Sequence, residues 1–204
     1  MKKYKLTNET TECNGVTLHR IEALMDFADV KKGDKGGFVQ SEDNLPQFDN
    51  CWVYNNAKVY GNAMVYGNAK VGDDACVYGN AKVFGNAWVC CDAKVYGDAK
   101  VFGNAKVCGY AKVFGYAWVF GNAFVFGNAE IYKNCDYIVF KNWWSSGRYF
   151  TWTRSNNMWK VGCFYGTGEK LIKKAYSDSE KSGREYERIV KYVESILNDD
   201  AISI

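Results

Sequence analysis

Val53-Tyr54-Asn55-Asn56-Ala57-Lys58, then Val59-Tyr60-Gly61-Asn62-Ala63-Met64, then Val65-Tyr66-Gly67-Asn68-Ala69-Lys70: the chain states one six-residue phrase and goes on stating it. The first position is Val53, Val59, Val65, Val71, Val77, Val83, Val89, Val95, Val101, Val107, Val113, Val119, Val125 and Ile131, without an insertion or a skip. The fifth is alanine from Ala57 to Ala129, and Cys135 closes the series. A short fixed period means stacked identical units, none of which can bury its own apolar side chains.

Within a phrase, Lys-Val-Tyr reads as a three-residue strand whose β-branched side chain points one way while its two neighbours point the other. Gly-Asn is the corner, because glycine allows positive φ and Asn or Asp tolerates it while bonding locally. Alanine fills the inside of the bend. Six residues are too few for a helix with its connections, so the repeats predict a parallel β-helix with a dry Val/Ala interior.

The pattern aliphatic, any, Gly, Asn/Asp, Ala, any resembles the hexapeptide repeat of left-handed β-helix proteins, the family of the trimeric acyltransferases. That resemblance implies triangular coils of three phrases each, a left-handed exception to the usual crossover rule. Every third phrase then stacks into a face. One face carries Tyr60, Tyr78, Tyr96, Phe114 and Tyr132 with Lys58, Lys94 and Lys112. A second carries Tyr66, Phe84, Phe102 and Phe120 beside Met64, Lys82, Lys100 and Trp118. The third alternates Trp52, Lys70, Trp88, Lys106 and Phe124, and its trailing column shrinks to Gly72, Cys90 and Cys108 between Tyr54 and Phe126.

The expected architecture is an all-β core, a left-handed parallel β-helix over residues 51–138. It carries an N-terminal β cap at 1–50 and a small C-terminal ββαα module at 139–204. In the cap, Lys3–Leu6 and Val16–Leu24 have strand composition, and residues 31–37 read as a loop. The glycines of that loop match neither a dinucleotide fingerprint nor a Walker sequence, so they read as a turn. In the C-terminal module, strands are expected at Arg148–Thr153 and Met158–Phe164 around Ser155-Asn156-Asn157, and helices at Gly168–Ser177 and Arg184–Asn198.

The runs Gly15-Val16-Thr17-Leu18-His19-Arg20-Ile21, Gly33-Asp34-Lys35-Gly36-Gly37-Phe38-Val39 and Asn50-Cys51-Trp52-Val53-Tyr54 resemble the opening of hexapeptide-repeat proteins from phages, prophages and bacterial genomes, among them a putative transferase. Gly147-Arg148, Thr151, Thr153-Arg154 and Gly162-Cys163-Phe164-Tyr165-Gly166-Thr167 resemble a small C-terminal domain of phage proteins. There the turn more often reads Lys-Asp-Gly, and Asn156-Asn157 departs from it.

A net charge of +3 over 204 residues is too mild for a dedicated nucleic-acid binder. The start, Met1-Lys2-Lys3-Tyr4-Lys5, leads into no apolar segment, and no run has membrane-spanning length, which predicts a cytoplasmic protein, in the host cytoplasm if phage-encoded. Eight cysteines are expected to stay reduced and mostly buried. Cys90-Cys91 and Cys108 fall near one coil edge, yet neither a histidine nor a Cys-x-x-Cys pair accompanies them. They read as inert thiols, and no cofactor or metal is expected.

The acyltransferase resemblance implies a histidine base between protomers, but His19 is the only histidine and lies outside the repeats. The favoured reading is therefore a non-catalytic, oligomeric binding protein, with an acyltransferase-like enzyme or a structural scaffold as alternatives. Phe84, Phe102, Phe120 and Trp118 predict a subunit seam, most simply that of a homotrimer. Lys70, Trp88 and Lys106 beside the small-residue trough suit a planar anion such as a nucleotide. Tyr110 and Tyr116 replace the corner Asn in successive phrases, near Trp118. Arg148 and Arg154 are candidate phosphate contacts from the appended module. The phage-type resemblance implies a protein that sequesters a host immune nucleotide.

Overall fold

A computed structural model describes residues 2–202, with side chains through residue 197. Strands β1 (Tyr4–Cys13) and β2 (Val16–Ala23) form an antiparallel hairpin, and β3 (Lys35–Val39) pairs antiparallel with β2. The repeats follow as two-residue rungs. The first face stacks β5 (Lys58–Val59), β8 (Cys76–Val77), β11 (Lys94–Val95), β14 (Lys112–Val113) and β17 (Glu130–Ile131). The second stacks β6 (Met64–Val65), β9 (Lys82–Val83), β12 (Lys100–Val101) and β15 (Trp118–Val119). The third stacks β4 (Trp52–Val53), β7 (Lys70–Val71), β10 (Trp88–Val89), β13 (Lys106–Val107) and β16 (Phe124–Val125). All pairs between these rungs are parallel, giving a β-solenoid of about five turns.

The first-position valines, Ile131 and the alanines are buried at 0–1% exposure and form one continuous core. The expected columns are those observed, with Trp88 opposite Lys70 and Lys106 and Lys100 opposite Lys82 and Trp118. Rungs are two residues long, not three. The third residue still donates its N–H to the next coil, as Tyr60 does to Val77 O at 3.1 Å, but the chain has already begun to turn. Outward rings lie flat on one another, with centroids 4.8 and 4.9 Å apart from Tyr66 through Phe84 to Phe102. That spacing is the coil repeat itself. Each inner ring covers a face of both its neighbours, so Phe84 and Phe102 are partly buried by the stack itself.

The solenoid has a polarity that explains its caps. Each rung's N–H groups point to the carbonyls of the following coil, as in Lys58 N to Ala75 O at 2.9 Å. The first coil therefore presents bare carbonyls and the last presents bare N–H groups. Donors gather at the start: the Lys3 ammonium donates to Asp49 O (2.7 Å) and Cys51 O (3.0 Å), and the Asn44 amide to Gly61 O (3.0 Å) and Ala63 O (2.8 Å). Acceptors gather at the end: Asn134 Oδ1 takes Trp118 N (2.8 Å), Thr151 Oγ1 takes Phe124 N (2.8 Å), and Ser155 Oγ takes Glu130 N (2.7 Å).

Lys3 is 3% exposed, and burial holds its ammonium below the usual lysine range. Lys3→Met is expected to leave one buried and one part-buried carbonyl unpaired and to cost about 2 kcal/mol, roughly 4–8 °C of melting temperature in a thermal scan.

Residues 35–37 are not loop. Lys35–Val39 is a strand that pairs parallel with β5, so a first rung precedes the repeats. Gly36 and Gly37 are buried there because neighbouring backbone leaves no room: a Cβ on Gly36 would stand 2.6 Å from Val53 O, and one on Gly37 2.5 Å from Ala57 O. The glycines serve close packing, not turning.

The C-terminal module has four antiparallel strands, β18 (Tyr137–Lys141), β19 (Tyr149–Thr153), β20 (Met158–Val161) and β21 (Phe164–Gly166), followed by α1 (Gly168–Asp178) and α2 (Glu180–Ile202). Trp144, Phe150, Trp152 and Trp159 pack with Leu171, Tyr186 and Val190 in a core of its own. Helix α2 starts earlier than expected because Gly183 lies inside it, where the Tyr176 ring occupies the space a side chain would need. Among the described residues, no helix is long and apolar enough to cross a membrane.

Candidate functional site

On the third face, period-two alternation turns Lys70, Trp88 and Lys106 outward from consecutive rungs. The Trp88 indole is 45% exposed, and the Lys106 ammonium lies 5.6 Å from its centroid and 5.9 Å from that of Phe124. A cleft of about 420 Å³ opens here, lined by Ala28, Asn50, Asn68, Lys70, Asn86, Ala87, Trp88 and Lys106. Its rim is an amide ladder. Asn50 donates to Asn68 at 3.2 Å, Asn68 to Asn86 at 3.1 Å and Asn86 to Asn104 at 3.1 Å. Each carboxamide spends one N–H on the ladder and keeps a second.

Beside it lies a smaller cleft of about 190 Å³, lined by Asp29, Tyr54, Asn55, Lys70, Gly72, Asp73 and Trp88. Gly72 creates the space, since a Cβ there would meet nothing nearer than Tyr54 Cβ at 3.7 Å. The tight turn Phe27–Val30 reaches over this face from the cap, and Asp29 accepts from Lys70 at 2.9 Å through both oxygens and from the Tyr54 hydroxyl at 2.8 Å. The lysine holds the Asp29 carboxyl below its ordinary range, and burial and Asp29 push the Tyr54 hydroxyl up. Lys70 therefore already has a counter-ion. Trp52, which heads the column, is 1% exposed under Tyr4 and Phe27.

The other expected site residues lie elsewhere. Tyr110, 69% exposed, stands on the corner between β13 and β14, whereas Tyr116, 75% exposed, stands on the next corner, between β14 and β15. Tyr116 and Trp118 line a shallow groove with Asn80, Lys82, Asp98 and Lys100, and the Lys100 ammonium is 4.5 Å from the Trp118 ring. Arg148 is exposed ahead of β19, and Arg154 donates its backbone N–H to Asp136 O at 2.8 Å. Neither arginine lines the third-face clefts. His19, on β2, places a ring nitrogen 3.3 Å from Thr7 O.

The cysteines correct the all-reduced expectation. Cys90 and Cys108 stack on consecutive coils with Cα atoms 4.8 Å apart, and they are joined as a disulfide on the floor of the trough. Coil stacking places their Cα atoms within the range a bridge needs, which no local motif announces. Residues missed from the sequence, Asp29 and the asparagine ladder, were reachable only in part. The ladder follows from the column arithmetic, and the cap turn does not.

Residues 57–73, just short of one coil, match a family model described as YdcK Beta solenoid repeat. A comparison with curated proteins gave no match. The chain is a β-solenoid repeat protein.

Proposed function

We propose that this solenoid is a non-catalytic, oligomeric binding protein that holds a small planar anion of the nucleotide class on its third face. The observation that carries the reading is Trp88, a half-exposed indole between Lys70 and Lys106 on adjacent rungs, facing a cleft rimmed by amide donors. A base stacks on the indole, the phosphates meet Lys106, and the spare Asn68 and Asn86 N–H groups read polar edges. The resemblance to phage and prophage proteins supports a sequestering role toward a host nucleotide signal. The column of Phe84, Phe102 and Phe120 beside Trp118 supports a threefold seam on the second face.

Purified protein is to be titrated calorimetrically with ADP-ribose and cyclic dinucleotides, and bound ligand released by heat. Trp88→Ala is expected to weaken binding at least tenfold, in line with the roughly 1–3 kcal/mol of one stacked base. Asp29→Asn removes the carboxylate that competes for Lys70 and is expected to tighten binding. In light scattering the same preparation is expected to run as a trimer. Failure of every nucleotide to bind, or binding indifferent to Trp88, defeats the proposal.

A further inference from the structure

One corner of the prism breaks the rule that the other two keep. At the corners after the first and second faces, the left-handed position is glycine coil after coil: Gly61, Gly79, Gly97 and Gly115 on one, Gly67, Gly85, Gly103 and Gly121 on the other. At the corner after the third face the same column reads Asn55, Asp73, Cys91, Gly109 and Gly127, and the three side-chain-bearing residues take φ of 53°, 57° and 60°. Asn and Asp tolerate this region, but cysteine gains nothing from it. Strain kept at one place in an otherwise uniform repeat marks a site.

The side chains carried at this corner bring donors together. Donor atoms of Asp73, Cys90 and Cys91 lie within 4.8 Å of one another, and Cys90 is bonded to Cys108 on the next coil. Asp73 is held in place by Asn55 Nδ2 (3.2 Å to Oδ1) and by the Cys91 N–H (3.0 Å to Oδ2). Cys90 and Cys108 are 8% and 6% exposed, with Gly72 leaving open space in the adjoining position of the trough. A tetrahedral zinc ion with Zn–S bonds of about 2.3 Å keeps its sulfurs about 3.8 Å apart. The Cys90 and Cys91 sulfurs are 3.8 Å apart.

We propose that Asp73, Cys90, Cys91 and Cys108 form a redox-gated site for a thiophilic divalent cation of the zinc class. With the Cys90–Cys108 bond intact, two of the three sulfurs are withheld. Two equivalents of a small-molecule thiol open it: the S–S bond breaks, both protein sulfurs become thiols, and the reductant leaves as its disulfide. The cation then replaces the protons of three thiols, which pass to solvent, and takes the Asp73 carboxylate as fourth ligand. Its ligands come from three successive coils, so the ion staples the stack where the small-residue trough thins it. The site is independent of the nucleotide reading.

Cobalt(II) chloride, titrated anaerobically into reduced and oxidised full-length protein, tests this through the sulfur-to-cobalt charge-transfer band. Reduced protein is expected to take one ion per chain with the intensity of three thiolates, and oxidised protein none. Cys91→Gly installs the residue the other corners use, so it is expected to melt no lower than the parent while binding cobalt at least tenfold more weakly. Asp73→Asn is expected to weaken binding but keep the three-thiolate intensity. Four results would each overturn the assignment: no ion taken up by reduced protein, equal uptake in both redox states, Cys91→Gly binding like the parent, or a thiol count that does not rise on reduction of the folded chain.

Discussion

Gly37→Ala is expected to lower the melting temperature by about 10 °C, the loss that goes with about 3 kcal/mol in a chain of this size. The cause is not backbone conformation, because Gly37 is not at positive φ. A methyl group there would sit 2.5 Å from Ala57 O and 2.6 Å from Val53 Cγ1, both on the first coil beneath β3. Ala57 O is also the acceptor for Phe38 N at 2.8 Å, so relieving the clash breaks the bond that seats the first rung. Gly121→Ala is the informative contrast. Its φ is +67° and nothing lies within 4 Å of the added carbon, so only the left-handed penalty of about 1–2 kcal/mol applies. Circular dichroism melts of both variants decide the matter. Should Gly37→Ala melt with the parent, the first rung is not packed against the coil as described.

The solenoid was legible because one period fixes everything within it. Once Val53 to Ile131 point inward, the outward columns follow by counting in eighteens, and Tyr78, Phe102 and Trp88 stand where that count puts them. The same count also separates Tyr110 from Tyr116. Six residues apart, they occupy neighbouring corners, one on either side of the first face. What was not legible lies where the period stops. Asp29 reaches Lys70 across 41 residues because the cap docks on the third face, and no local pattern encodes that docking. Gly36 and Gly37 carry the composition of a loop, and only the backbone beneath them turns their smallness into a strand. Asp73, Cys91 and Cys108 are spread over three coils, so motif spacing misses them although column spacing finds them. Tyr137-Ile138-Val139-Phe140 has strand composition, but its antiparallel partner lies beyond the repeat, at Tyr149–Thr153, and the six-residue period says nothing of that pairing.

Three deletions of different length are expected to separate period from composition. Removing residues 82–99 takes out one full coil and joins Ala81 to Lys100, which lies on the same face as Lys82. Every column stays in line, both caps keep their donors and acceptors, and a folded solenoid with a somewhat lower melting point is expected. Removing only residues 82–87 keeps every later valine inside but rotates all later columns by one face. The Phe84–Phe102 stack is then broken and the caps are turned relative to each other, with an intermediate loss. Removing Asn86 alone is expected to be the most damaging, although it is the smallest change. That corner loses the residue whose N–H reaches Gly103 O at 2.8 Å, and a one-residue slip turns Val89 and the valines after it toward solvent. Each valine turned outward forfeits about 1.5–3 kcal/mol, so a handful exhausts a stability of about 5–15 kcal/mol. Urea titrations read by circular dichroism are expected to show a cooperative transition for the coil deletion and none for the single deletion. If the chain lacking Asn86 unfolds as cooperatively as the one lacking a whole coil, the corners absorb slippage, and the inward valines do not set the register.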